Sequence, residues 1–146
     1  MPKIKVKIIN ESSNPLPGYA TEGSAGMDIM ANLNESIRIN PMERLMIPTG
    51  LFLELPNGYE GQVRPRSGLA IKNGITCLNS PGTIDSDYRG EVKIILINLS
   101  DREHMVQHGD RIAQLVVHKV QVVKWKQVKK VKSSQRNKGG FGHTGK

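Results

Sequence analysis

The chain has 146 residues, one cysteine, 4% aromatic residues and a formal net charge of +8. That length suits a single domain that buries its core without staples, a lone Cys77 cannot close an internal disulfide, and no apolar run approaches the ~20 residues of a membrane-spanning helix. From Lys119 to Lys146 there are nine Lys or Arg and no acid, which leaves 21 − 9 = 12 basic against 13 acidic groups in the rest, so a near-neutral body carries a cationic C-terminal end.

In chain order, "MPKIKVKIIN" lacks the apolar core of a signal peptide, and "KIKVKII" (3–9) alternates as a strand does. With the single cysteine, this predicts a reducing compartment: cytoplasmic, or nuclear in a eukaryotic or viral setting. The turn signal "NPLPG" (14–18) precedes a long apolar run, "RLMIPTGLFLEL" (44–55), and "LPNGY" (55–59) ends it. After "RPRSG" (64–68), one helical turn at Ser67 to Lys72 is the only helical signal. "KNG" (72–74) and "NSPG" (79–82) punctuate the middle, then "EVKIILINL" (91–99), the turn "QHGD" (107–110) and "RIAQLVVHKVQVVKW" (111–125) read as strands. Turn signals this frequent predict an all-β sandwich, jelly roll or distorted barrel. "EVKIILINL" and "LVV" are more apolar than a half-exposed strand needs, which predicts an oligomer that covers them. The N-x-S sites at Asn10, Asn34 and Asn98 are incidental in such a compartment.

Residues 140 to 146, "GFGHTGK", fit the G-x-x-x-x-G-K spacing of a phosphate-binding loop. Their context does not: no apolar strand precedes them, no Ser or Thr follows the Lys, and no helix begins there. Five other segments use residue types that simple folding does not need. They are "GSAGMDI" (23–29), "PRSGLA" (65–70), "NSPGTIDSDYRGEV" (79–92), "GDRIAQL" (109–115) and "RNKGGFGHTG" (136–145).

In order and wording these five resemble the motifs of the trimeric dUTPases, over residues 23 to 145. The resemblance implies an all-β, distorted jelly-roll or β-clip barrel with at most one short helix. It implies a β-barrel domain over 1–125 and a flexible C-terminal arm over 126–146 that closes on the site. It implies a homotrimer that cleaves dUTP to dUMP and pyrophosphate with Mg²⁺, keeping uracil out of DNA and supplying dUMP for thymidylate synthesis.

Carried over residue by residue, the resemblance makes Asp85 the carboxylate that orients and deprotonates the attacking water, with Asp87 structural. Tyr88 packs under the sugar and excludes a 2′-hydroxyl. Asn79 and the hairpin from Gly82 through Thr83 and Ile84 to Lys93 read the uracil edge, where matched buried donors and acceptors discriminate by ~10⁴ or more. Ser80 and Pro81 stand where the family varies. Arg66, Ser67 and Gly68 take the phosphates, Arg66 also fixing neighbouring acids, and Gln114 reaches the phosphates or their water. Met27 and Ile29 are mild departures in the first motif, and Asp28 acts through the magnesium water shell or holds the site together. His104, His108, His118 and His143 show no ligand spacing with Cys77, which suits Mg²⁺ held mainly by substrate phosphates and water.

Ordering the eleven residues from Arg136 costs on the order of 10 to 20 kcal/mol of backbone entropy, so the arm is expected to close only over ligand. Phe141 would then stack on the base, Arg136 pair with the terminal phosphate, and Gly142 and Thr144 wrap the anion. Two alternatives remain. A dCTP deaminase, or bifunctional deaminase and dUTPase, of related fold would need a ring-protonating carboxylate, and there is no Glu between Glu60 and Glu91. A basic nucleic-acid-binding β domain would use the lysines of 119–138, where aromatic residues are few.

Overall fold

Turn signals such as Pro56 to Gly58 and Gly74 separate the strands of the fold. The computed structural model describes residues 3–145; Met1, Pro2 and Lys146 lie outside them, and with these the ends of the 1–125 and 126–146 segments and of the phosphate-loop spacing. The elements are β1 (Lys7–Asn10), β2 (Met27–Met30), β3 (Ile37–Ile39), β4 (Arg44–Glu54), β5 (Tyr59–Arg64), α1 (Ser67–Asn73), β6 (Ile75–Cys77), β7 (Gly82–Ile84), β8 (Glu91–Asn98), β9 (His104–Val106) and β10 (Arg111–Lys119). Two four-stranded sheets, β1-β4-β8-β6 and β2-β10-β5-β7, are joined by a two-stranded β3-β9 pair. Every strand pairing is antiparallel, the jelly-roll class of the sequence reading.

The core lies between the two larger sheets. In β8 the alternate residues Val92, Ile94 and Leu96 are buried, and in β10 Ala113 and Leu115 meet them with Ile29 and Ile47. Each large apolar side chain removed from water contributes roughly 1.5–3 kcal/mol, and this cluster is the main stabilising term. β4 shifts register between Pro48 and Leu51. Proline has no amide to donate there, and Gly50, at φ 71°, takes the left-handed turn that the bulge requires. α1 stops at Gly74, whose φ of 64° lets its amide close on the last helical carbonyls.

Asn98 is a fully buried polar side chain at the end of β8. Its amide donates to the Ile39 carbonyl at 2.9 Å and the Arg102 carbonyl at 2.7 Å, and its Oδ1 accepts from the Ser100 amide at 2.9 Å and hydroxyl at 2.7 Å. Its full complement of partners is why it can be buried, and it ties β8 to the β3-β9 pair.

The structure departs from the sequence reading in the strand lengths. The alternating segment 3–9 pairs only from Lys7, and the run 111–125 leaves the sheet after Lys119. Val120 donates its amide to the Gly58 carbonyl at 2.8 Å, and beyond it the valines and lysines run exposed, with Trp125 89% accessible. Six short strands, β2, β3, β5, β6, β7 and β9, are too brief to show a period in the sequence.

Candidate active site

The first cluster is built where β2, β10 and β5 share a rung. Gln114 stands opposite Asp28 on one side and Arg64 on the other. Two residues past Arg64 the chain turns into α1, with extended Arg66 as its N-cap residue. Arg66 Nε lies 2.9 Å from Asp28 Oδ1, while Arg111 Nε approaches Asp28 Oδ2 at 3.7 Å. The Gln114 amide donates to the Pro65 carbonyl at 3.0 Å, and its oxygen meets no hydrogen-bond donor among the described residues. Gly26 passes so close to that oxygen that a side chain there would displace it. The first helical bond runs from the Ala70 amide to the Arg66 carbonyl, so the Ser67 and Gly68 amides have no helical partner. Asp28, Arg66, Ser67, Gly68 and Gln114 thus line one open depression. A guanidinium, amides without helical partners and a carboxylate paired to arginine suit this depression to an anion.

The second cluster is the hairpin between β7 and β8. Asn79, Gly82, Thr83, Ile84, Asp85, Tyr88 and Lys93 line a cleft of about 230 Å³ with Glu91 and Ile95. Tyr88 Oη donates to the Glu91 carbonyl at 2.9 Å, and its ring lies against Gly90, where a β-carbon would collide with it. The ring is thereby held in place and stays 46% exposed. The Asn79 amide sits 3.0 Å from the position a β-carbon on Gly82 would take, so a side chain there would crowd it. Asp85 is exposed, and its backbone carbonyl accepts from the Tyr88 amide at 3.2 Å, closing the turn. Ser80 Oγ bonds the Cys77 carbonyl ahead of the cis Ser80–Pro81 peptide.

The two clusters do not meet within one chain. Across the sheet, Gln114 faces Arg64, His118 faces Glu60, and Ile84 faces Gly61, which puts Asp85 level with Glu60. At ~4.8 Å per strand and ~3.4 Å per residue, two strands sideways and four residues along separate Asp85 from Gln114 by on the order of 15 Å. Nor do the described residues of the C-terminal segment line either cluster. Arg136 bonds the Gly139 carbonyl at 2.6 Å, turns follow through Gly142 and Thr144, and Phe141 is fully exposed. Residues 140–145 form turns, with neither the strand nor the helix of a phosphate-binding loop.

Two contributors, Gly26 and Glu91, carry no chemical signature of their own in the sequence. Gly26 matters through what its missing side chain permits. Glu91 is the next glutamate after Glu60, and its alternation with Lys93 along β8 is the signal that places both on the cleft side. Among the described residues no group of three His, Cys, Asp or Glu side chains could hold a metal ion, and both oxygens of Asp28 already face guanidinium groups. This donor set fits a hard cation carried by ligand phosphates and water, and not a protein cage. No helix among the described residues is long and apolar enough to cross a membrane.

The dUTPase family model matches residues 3–145. The deoxyuridine 5'-triphosphate nucleotidohydrolase of Fusobacterium nucleatum subsp. nucleatum is 53% identical over 146 residues, covering 100% of each chain. Among solved structures, Staphylococcus bacteriophage 80alpha dUTPase with dUPNHPP is similar at a TM-score of 0.87 and 26% identity, over 98% of this chain and 99% of that one. A dUTPase from phage phi11 of S. aureus, described with a structural Mg(II) ion, is similar at a TM-score of 0.79 and 24% identity, over 89% of this chain and 100% of that one.

Proposed function

The chain belongs to the dUTPase family and is a dUTP diphosphatase, and from that premise we propose that its active site is assembled from three copies of the chain, with Asp85 as the base. The observation that carries this reading is the separation of Asp85 from the Arg66 and Gln114 cluster on one sheet. A nucleotide must touch both, so one subunit supplies the phosphate cluster, a second the hairpin, and a third the arm. Residues 1–125 serve as the barrel domain and 126–146 as the arm.

Hydrolysis to dUMP and pyrophosphate adds one water across the bond between the α-phosphorus and its bridging oxygen. Asp85 holds that water and takes its proton, the new P–O bond forms, and pyrophosphate leaves with the bridging oxygen. Arg66 and the Ser67 and Gly68 amides hold the phosphate oxygens as charge builds on them, and Gln114 offers its oxygen to their water. Mg²⁺, when bound, supplies charge neutralisation of the phosphates, and Asp28 would hold it only through water. Asn79 and the hairpin backbone read the uracil edge, and Tyr88 presents its ring to the deoxyribose. Arg136, Phe141, Gly142 and Thr144 close over the nucleotide, exclude bulk water and fix the triphosphate for attack.

Pyrophosphate release from dUTP, dTTP, dCTP and UTP, with ammonia release from dCTP and retention of DNA measured in parallel, tests the reading. Pyrophosphate from dUTP alone is the expected result. Ammonia from dCTP would establish a deaminase, and retained DNA without turnover a nucleic-acid-binding domain.

A further inference from the structure

The loop that carries Asp85 and Tyr88 has little backbone structure of its own. β7 belongs to one large sheet and β8 to the other, so no ladder between them sets the path of residues 85–90. Among the described residues a single backbone hydrogen bond crosses the loop, from the Tyr88 amide to the Asp85 carbonyl at 3.2 Å. One side chain adds two more. Arg89 Nη1 donates to the Ser86 carbonyl at 2.7 Å and to the Tyr88 carbonyl at 3.1 Å, which occupies both of its hydrogens. Both bonds are charge-assisted, and they tie the middle of the turn to its end.

Arg89 does this from outside the nucleotide cleft. It is exposed, forms no ion pair among the described residues, and lines a separate open depression with Ser86 and Asp87. Asp85 lines both hollows, whereas Tyr88 lines the cleft alone. Holding the Ser86 carbonyl sets the backbone next to Asp85, and holding the Tyr88 carbonyl sets the backbone from which the ring hangs. We propose that Arg89 is a positioning residue: it touches neither nucleotide nor water, and through two carbonyls it aims both the Asp85 carboxylate for attack and the Tyr88 ring for choice of sugar. A residue serving the water alone would change turnover, and one serving the ring alone would change selectivity. Arg89 should change both. This inference rests on the dUTP reading above.

The test is steady-state kinetics with dUTP and UTP, beside thermal melts, in the wild type, Arg89→Ala and Arg89→Lys. In Arg89→Ala, kcat for dUTP should fall about tenfold, since misplacing a catalytic group by ~1 Å costs up to ~10². The dUTP to UTP ratio of kcat/KM should fall about fivefold or more in the same variant. Its melting temperature should stay within ~2 °C of wild type, because the side chain is exposed and away from the core. Arg89→Lys should recover most of both losses, because both bonds leave one nitrogen and an ammonium brings its own donors to that place. The ratio of wild-type to Arg89→Ala kcat should hold from low to high salt, since hydrogen bonds in contact escape the screening that weakens charges acting at a distance. Wild-type kcat and selectivity in Arg89→Ala, a loss confined to one of them, a ratio that vanishes at high salt, or a lysine variant no better than alanine overturns the role of Arg89. A melting temperature lowered beyond that limit makes the residue structural and overturns it too. Absence of dUTP hydrolysis in the wild type overturns the parent reading instead.

Discussion

Arg66 reaches Asp28 across 38 residues of sequence, its Nε 2.9 Å from Oδ1, and so fixes the first turn of α1 to β2. Both side chains are about one-third exposed, at 32% and 33%. Screening limits such a pair to ~0–1 kcal/mol of stability. Its larger use is to aim the guanidinium. Asp28→Asn should therefore leave the melting temperature almost unchanged while raising KM for dUTP by about tenfold, and Arg66→Lys should not substitute for arginine because lysine lacks the planar fork. Thermal melts beside steady-state kinetics check both, and a collapse of stability in Asp28→Asn would show the pair to be structural first.

Asp85 is exposed, and the proposed mechanism has it hold and deprotonate water. Asp85→Asn should bind a non-hydrolysable dUTP analogue nearly as wild type does, yet slow single-turnover hydrolysis by ~10² or more. Undiminished turnover would remove Asp85 from the chemistry.

The Tyr88 ring is held by its hydroxyl and by the absence of a side chain at Gly90. Replacing Tyr88 with isoleucine should open space for a 2′-hydroxyl and raise UTP hydrolysis relative to dUTP by about tenfold or more, on the scale of a lost packing contact in specificity. A dUTP/UTP ratio equal to that of wild type would sink the role of the ring.

Gly26 gives Gln114 its room. Gly26→Ala should push the Gln114 amide out of line, weakening its 3.0 Å bond to the Pro65 carbonyl and raising KM for dUTP several-fold with kcat less affected. Gln114→Ala on top of Gly26→Ala should add little, because both remove the same contact; full additivity would count against the coupling.

How far the molecule was legible in its sequence depends on the residue in question. Val92, Ile94 and Leu96 announce β8 by alternation and apolarity, and Gly74 announces the end of α1, because both signals are local. The pairing of Asp28 with Arg66 is foreshadowed only by an arginine expected to fix neighbouring acids, since the two meet through β2-β10-β5 order, which no local pattern encodes. Val120 to Trp125 mislead in the opposite direction: they alternate like a strand but find no partner strand among the described residues. Glu91 shows its side of β8 by alternation with Lys93, but its burial does not show, because a glutamate after a glycine turn is ordinary in sequence.

Assembly of the site can be tested with two inactive chains. Asp85→Asn with an intact arm, and a chain truncated before Arg136 with an intact Asp85, should each be inactive and normally stable. Co-expressed, they should form mixed assemblies in which some sites combine a functional Asp85 with an arm from another copy, and a fraction of wild-type activity should return. Verified mixed assemblies that stay inactive would place the Asp85 hairpin and the arm of each site on one chain.

The placement of Cys77 bears on how the enzyme withstands oxidants. It ends β6 at 2% exposure, and burial pushes its thiol from 9.0 up to about 11. A shift of that size leaves roughly a hundredfold less thiolate at neutral pH than an ordinary cysteine has, and the thiolate is the form that peroxides and electrophiles attack. The sign of the linkage confines any cost to alkali: the folded chain holds its thiol proton between about pH 9 and 11, where the unfolded chain has released it, so stability is full below that window and declines through it. With the chain's only sulfhydryl sealed behind the sheets and absent from both clusters, hydrolysis of dUTP should persist under oxidative stress that silences thiol-dependent enzymes.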